Sequence, residues 1–335
     1  MSTSVPGPSS VPPPASSAAG AASRPHIPGQ AMLLQTRGDI VALGPLLFAP
    51  FTKLRAVPRA TWRVIAIVSV AGVFPLAVLT LFSGSEIEQY WGLALYFSLF
   101  WACFFGAIYH TDGVRVPVAV GTFFFTGLIA MPLLLLALAL GLQTLRTPMV
   151  ESANILVSLP SMVIFVGLFE ETTKALALFG IGLFSKPLPA LRVFVFYGLI
   201  SGLGFGIYEG ISYQTGTNVA AVVNTGDIGA YYLSNVLRLT SAPFFHAVWT
   251  AIAAFLIWFG FRFPKRRLGF FALAILVPAI LHGVYDAFVA YQPMFTLASA
   301  IVSIAILSVY VASADDLQRD IAPIAEDQGA AVIAS

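Results

Sequence analysis

Apolar stretches of about twenty residues recur along this chain, and their recurrence constrains the fold more than any other feature. A stretch of this length, wound as an α-helix at about 1.5 Å per residue, crosses a hydrocarbon core of about 30 Å. The eight candidate spans are residues 62–82, 90–110, 116–142, 155–184, 193–213, 231–260, 268–291 and 295–312. With 58% hydrophobic and only 10% charged residues, the composition excludes a soluble domain of this length. The predicted fold is therefore all-α, a polytopic membrane helix bundle of about eight transmembrane helices.

The positions of the cationic residues predict how this bundle is oriented. If the first span begins in the cytoplasm, only Arg146 falls in an outer loop, as the positive-inside rule requires. The inner side then receives Lys53, Arg55, Arg59, Arg115, Lys186, Arg192, Arg262, Lys265, Arg266, Arg267 and Arg319. We expect a multi-pass protein of the plasma membrane with both termini cytoplasmic. The formal net charge of +2 follows from topology and gives no indication of nucleic-acid binding.

The regions outside the spans are assigned from composition. Residues 1–30 are rich in Pro, Ser and Ala and predict a disordered cytoplasmic tail without a secretory signal. Residues 31–60 are moderately apolar but interrupted by Gly and Pro, which predicts an interfacial or juxtamembrane segment. Residues 61–312 form the predicted intramembrane domain, and residues 313–335, acidic at first, predict a cytoplasmic tail. The only cysteine, Cys103, excludes an internal disulfide and a cysteine-based metal cluster.

Ionisable residues are concentrated in the fourth to seventh predicted spans. A charged side chain near the centre of a bilayer costs roughly 2.5 to 3.5 kcal/mol on insertion scales, so several of them together indicate a functional site. The residues concerned are Glu170, Glu171, Glu209, His246, His282 and Asp286. His282 and Asp286 are four residues apart and therefore share one helix face. We expect the whole set to surround one shared cavity that opens toward the outer leaflet.

Structural interpretations of these groups also remain open. Lys174 follows Glu170 by four residues and Glu171 by three, which is the spacing of an intrahelical ion pair. Such pairing accounts for one glutamate and leaves the other unexplained. His246 lies among aromatic residues and could be a hydrogen-bonded core histidine. Arg238 is expected to be an ion-pair partner or to extend to the outer interface.

A regular series of glycines marks the fifth predicted span. Gly198, Gly202, Gly206 and Gly210 recur every four residues and therefore lie along one helix face. Small residues in this arrangement let a neighbouring transmembrane helix approach closely. The series predicts tight helix packing beside Glu209, although such packing says nothing about chemistry by itself.

Carboxylates and imidazoles inside a membrane meet the requirements of peptide-bond hydrolysis. One carboxylate takes a proton from water, another group donates to the leaving amine, and N–H donors stabilise the oxyanion. The same side chains also bind zinc, although the HExxH motif is absent. A proton- or cation-coupled transporter that uses the same buried cluster is the alternative, and the internal repeat typical of that class is not evident. A noncatalytic membrane scaffold is a third possibility.

Four motifs, in this order, resemble those of the PrsW-type intramembrane proteases, a family related more distantly to the CAAX-prenyl endopeptidases. They are Glu-Glu-x-x-Lys at residues 170–174, Phe-x-x-x-Glu at 205–209, the isolated His246, and His-x-x-x-Asp at 282–286. The resemblance covers roughly residues 60–312. It implies that residues 61–312 form an intramembrane protease domain.

The resemblance also implies roles for individual residues. Glu170 is then the water-activating base, supported by Glu171. His282 and Asp286 stabilise the tetrahedral intermediate. Known members of the family cleave membrane-anchored regulatory proteins, so the expected partners are a membrane-anchored protein substrate and the lipid bilayer, with no nucleic acid and with the oligomeric state undefined.

By the same resemblance, Glu209 and His246 complete the water and substrate site. The favoured mechanism is of the glutamate type and uses no cofactor and no metal. A zinc-dependent mechanism is the alternative, since histidine nitrogen and carboxylate oxygen are ordinary zinc ligands.

Overall fold

The structure is a computed structural model that describes residues 86–109, 112–218, 226–289 and 292–327, and in addition positions 64, 220, 223 and 224. Seven helices in these ranges are long and apolar enough to cross a membrane, and the described residues contain no strand. The all-α membrane bundle is thereby confirmed. Apart from position 64, the predicted span of residues 62–82 and the predicted segments 1–30 and 31–60 lie outside the described residues.

The seven helices follow one another along the chain and are joined by short connections. They are α1, Glu86–Tyr109; α2, Val116–Val150; α3, Ile155–Phe184; α4, Leu191–Tyr213; α5, Ile228–Arg262; α6, Arg267–Val289; and α7, Pro293–Asp327. A single 3₁₀ turn, Pro264–Arg266, joins α5 to α6. Most predicted span limits lie within a few residues of these bounds, and only the ends of α2 and α7 differ more.

Helix α2 extends past the predicted limit at residue 142 but changes direction just before it. Gly141 has a φ of +130°, a backbone conformation that residues with a Cβ rarely adopt. The apolar part of the helix ends at this kink, and the more polar turns Gln143–Val150 follow it. The hydropathy pattern therefore located the end of the apolar part, while the helix itself continues.

Helix α7 continues well beyond residue 312, so the first part of the predicted tail 313–335 is helical as far as Asp327. Its added turns contact the start of α4. The Gln318 side-chain oxygen accepts a hydrogen bond of 2.7 Å from the Leu191 backbone N–H, and Arg192 forms an ion pair of 2.7 Å with Asp315. These polar contacts stabilise helical turns that lack an apolar pattern.

Helices α4 and α5 form the buried centre of the bundle, and the glycine series lies where they meet. A Cβ on Gly202 would overlap the carbonyl oxygen of His246, and Cβ atoms on Gly198 and Gly206 would also clash with α5. At Gly210 the nearest atom would be at an ordinary 3.6 Å. The predicted close helix approach is confirmed at three of the four glycines, and it fixes the backbone of His246 against α4.

Helices α3 and α6 approach each other in the same way on the other side of the site. A Cβ on Gly167 would overlap the carbonyl oxygen of Ala279, and one on Gly283 would overlap the backbone of Val163. The α3 backbone forms a π-helical turn at Met162–Leu168, immediately before the two glutamates. This contact brings the middle of α3 beside the second half of α6.

Candidate active site

Four helices bring the six predicted site residues together. Helix α3 contributes two of them, α4 and α5 one each, and α6 two, and all six belong to one connected set of polar contacts. We call them the acid–histidine cluster. Its members are Glu170, Glu171, Glu209, His246, His282 and Asp286.

One half of the cluster surrounds His282. Its Nδ1 lies 2.9 Å from Glu171 Oε1, and its Nε2 lies 3.2 Å from Asp286 Oδ2 and 3.7 Å from Glu170 Oε2. The His282 and Glu171 side chains are almost completely buried, whereas Asp286 retains 28% exposure. Carboxylates therefore face both ring nitrogens of His282 and orient the imidazole.

The other half pairs His246 with Glu209. The His246 Nε2 lies 2.7 Å from Glu209 Oε2, and Arg238 Nη1 lies 4.0 Å from the same oxygen. The Arg238 guanidinium also lies over the Tyr213 ring, 3.7 Å from its centroid. Arg238 is thus an ion-pair partner as expected, and it belongs to the wall of the site.

Lys174 joins the two halves. Its Nζ is 2.8 Å from Glu171 Oε1, 3.4 Å from Glu170 Oε2 and 2.7 Å from His246 Nδ1, with the side chain fully buried. The ammonium also lies 4.3 Å from the centroid of the Phe205 ring, within cation–π distance. The intrahelical pairs follow from spacing, but the contact with His246 joins residues 72 positions apart and has no signal in the sequence.

Aromatic and hydroxyl side chains hold these groups in place. The Trp249 ring stacks on His282 with centroids 4.3 Å apart and an interplanar angle of 18°. The Trp249 N–H donates to Ser303 Oγ on α7 at 3.0 Å, and Ser201 on α4 donates to the Lys174 carbonyl oxygen at 2.8 Å. The resemblance to the family includes Trp249, which follows His246 in its motif, but neither its stacking on His282 nor the roles of Ser201 and Ser303 have a signal in the sequence.

A cavity of about 390 Å³ lies in front of the cluster, at the end of the bundle where α4 and α6 end and α5 begins. The polar lining includes Tyr213, Ser234, Arg238, Ser241, Tyr285 and four cluster members, Glu209, His246, His282 and Asp286. The expectation that the whole set surrounds one cavity is therefore wrong for two residues. Glu170 and Glu171 are not among the lining residues, although each contacts one of them: Glu170 Oε2 lies 3.7 Å from His282 Nε2, and Glu171 Oε1 lies 2.9 Å from His282 Nδ1.

Residue types and spacing in the cluster also match a metal site. Ligand atoms of Glu170, His246 and His282 lie within 4.8 Å of one another, and two histidines with one glutamate form a known catalytic zinc set. The hydrogen bonds do not fit a bound ion. Because an ammonium only donates and an ionised carboxylate only accepts, His246 Nδ1 accepts from Lys174 and its Nε2–H donates to Glu209. Both nitrogens of His246 are engaged in this arrangement, so an ion bound by the three residues would displace one of these hydrogen bonds.

Comparison with known proteins agrees with the motifs. A family model described as "PrsW family intramembrane metalloprotease" matches residues 115–313, which is more than half of the chain and includes every member of the acid–histidine cluster. No curated protein and no solved structure matches the chain. The family match gives no support to the transporter alternative.

Proposed function

Because this chain belongs to the PrsW family of intramembrane metalloproteases, we propose that it is an endopeptidase that hydrolyses peptide bonds of membrane-anchored regulatory proteins, with Glu170 as the water-activating base. One observation carries the proposal. Two histidines and two carboxylates from three different helices line a single cavity, and Glu170 Oε2 lies 3.7 Å from Nε2 of one of those histidines, His282. Ionisable groups at this depth are costly, and here they converge on a space that a substrate can enter.

The choice of Glu170 over Glu171 is supported by exposure and by hydrogen bonding. The Glu170 side chain retains 11% exposure, whereas Glu171 is fully buried. Glu171 Oε1 already accepts from Lys174 and His282. Glu170 is therefore the glutamate that water can reach, and Glu171 is the one that orients the other groups.

The proposed reaction moves one proton from water to the leaving amine. Glu170 accepts a proton from a water molecule, and the hydroxide adds to the carbonyl carbon of the scissile bond. The Nε2–H of His282, which faces Asp286 in the resting site, donates to the oxyanion in place of that contact, while Glu171 holds the ring through Nδ1. The proton on Glu170 then passes to the amide nitrogen, the C–N bond breaks, and a carboxyl group and an amine are released.

The charge distribution supports a cavity that opens on the outer side of the plasma membrane. Arg115 precedes α2, Lys186 follows α3, Arg192 begins α4, and Lys265 lies between α5 and α6, so all four lie at the end of the bundle opposite the cavity. Positive residues favour the cytoplasmic side. The proposed orientation therefore has the end of α7 in the cytoplasm and the substrate entering from the outer half of the bilayer. The N-terminus lies in the cytoplasm as well when the predicted span of residues 62–82 is added.

Cleavage in proteoliposomes tests this function. The purified protein is reconstituted with single-span substrates, and products are detected by mass spectrometry for the wild type, Glu170→Gln and Glu151→Gln. Glu151 is an exposed glutamate between α2 and α3, so its substitution is a matched control. We expect Glu170→Gln to lower kcat/KM by at least about 10²-fold and Glu151→Gln to leave it unchanged. Equal cleavage by all three proteins would remove Glu170 from the reaction.

A further inference from the structure

A buried lysine side chain occupies the centre of the predicted catalytic groups. Lys174 is fully buried, and its ammonium contacts carboxylates from its own helix and an imidazole from α5. Charged groups are almost never fully buried unless they are paired. The chain therefore keeps this cation in the site through partners on two separate helices.

The ammonium contacts two of the three residues that would ligate a metal ion. Its Nζ lies 2.7 Å from His246 Nδ1 and 3.4 Å from Glu170 Oε2, and both residues belong to the candidate metal group. The third member, His282, has Glu171 at one nitrogen and Asp286 at the other. A divalent cation bound by these residues would lie close to a like charge and would compete with existing hydrogen bonds.

We infer that Lys174 supplies the positive charge of this site in place of a divalent metal ion. The inference rests on the proposed function and specifies how the site performs it. Lys174 acts as a positioning residue, because its contacts hold Glu170 and Glu171 and make Nδ1 of His246 the hydrogen-bond acceptor. Its donation to Nδ1 leaves the proton of His246 on Nε2, where it faces Glu209. The description of the family as metalloproteases and the hydrogen bonds of this chain therefore disagree, and the disagreement can be measured.

Zinc content and zinc affinity provide the test. The full chain is purified in detergent without chelators, and bound metal is measured by mass spectrometry for the wild type, Lys174→Met and Lys265→Met. Met is similar in length to Lys and carries no charge, and the exposed Lys265 is the matched control. We expect substoichiometric zinc in the wild type and in Lys265→Met. We expect Lys174→Met to bind zinc at least about tenfold more tightly than the wild type, with a zinc-dependent rise in Tm.

Two further measurements complete the test. Adding His282→Ala to Lys174→Met should abolish the gained zinc binding, because the third ligand is removed. Chelation should leave wild-type cleavage unchanged, and Lys174→Met should lower kcat by about 10- to 100-fold with little change in KM. One zinc per wild-type chain, lost together with activity on chelation, would overturn the inference, and so would the absence of any gain in zinc affinity in folded Lys174→Met.

The zinc measurements can fail independently of the cleavage test of the proposed function. Zinc content does not depend on cleavage, so a wild type without zinc that cleaves no substrate would refute the protease proposal alone. If Lys174→Met does not fold, the wild-type zinc content decides the matter by itself.

Discussion

Loss of the Lys174 charge while Glu171 remains is the perturbation whose magnitude the structure defines best. The Nζ–Oε1 distance is 2.8 Å, and both side chains are fully buried. Coulomb's law with an effective dielectric constant of 20 gives about 6 kcal/mol at this separation. Breaking a buried pair by removing one partner costs about 3–5 kcal/mol in practice, because an unpaired charge is left behind. We therefore expect Lys174→Met to lower the free energy of unfolding by about 3–5 kcal/mol.

A double-mutant cycle isolates the pair itself. Glu171→Gln removes the negative charge but keeps an oxygen that can accept from His282, so the double variant leaves no unpaired charge between residues 171 and 174. We expect a coupling energy of about 2–3 kcal/mol between the two substitutions. The assay is reversible unfolding in mixed detergent micelles by titration with sodium dodecyl sulfate, followed by circular dichroism.

The exposed Asp316–Arg319 pair on α7 is the matched control, because it has the same three-residue spacing. Exposed ion pairs contribute about 0–1 kcal/mol, so Asp316→Asn should change the free energy of unfolding by no more than that. The reasoning is refuted if the two buried substitutions are additive within about 0.5 kcal/mol. An effect of Lys174→Met no larger than that of Asp316→Asn would refute it equally.

Two further predictions concern helix packing and orientation. Gly202→Ala should lower the free energy of unfolding by about 1–3 kcal/mol, because the new Cβ meets the α5 backbone. Gly180→Ala, where a Cβ would have no atom within 4 Å, should raise it by up to about 1 kcal/mol. Unfolding in mixed micelles compares the two variants, and equal effects would contradict the packing argument. The orientation is tested by labelling single cysteines in a Cys103→Ala background with an impermeant maleimide added to intact cells. The reagent should label Ser234→Cys at the cavity and should not label Leu268→Cys at the opposite end of the bundle. The reverse pattern would contradict the proposed orientation.

The sequence predicts the helices of this bundle well, because a membrane span must be apolar along most of its length. The limits of α3, Ile155–Phe184, coincide with the predicted span. The end of α7 could not be predicted in this way. Its last turns are polar, so hydropathy does not mark them as helical. Gln318 and Asp315 in these turns contact the start of α4, which is more than 120 residues away in the sequence.

The sequence predicts the members of the site better than their arrangement. Placing carboxylates and histidines inside a membrane costs free energy unless they have polar partners. Their presence in four consecutive spans therefore indicates that they contact one another. Spacing along α3 cannot show that Glu170 contacts His282 on α6 or that it is not among the residues lining the cavity, because both depend on how two helices pack. Spacing likewise identified Lys174 as an intrahelical partner and missed its bond to His246 on α5.

Isotope incorporation tests the central claim most directly, namely that a water molecule activated at the acid–histidine cluster cleaves a peptide bond. A purified single-span substrate is incubated with the reconstituted protein in water enriched in ¹⁸O, and the products are analysed by mass spectrometry. The account predicts one ¹⁸O atom in the new carboxyl terminus formed by the wild type, and no such product from Glu170→Gln. A labelled product of equal yield from Glu170→Gln, or no cleavage by the wild type of any substrate, would contradict it.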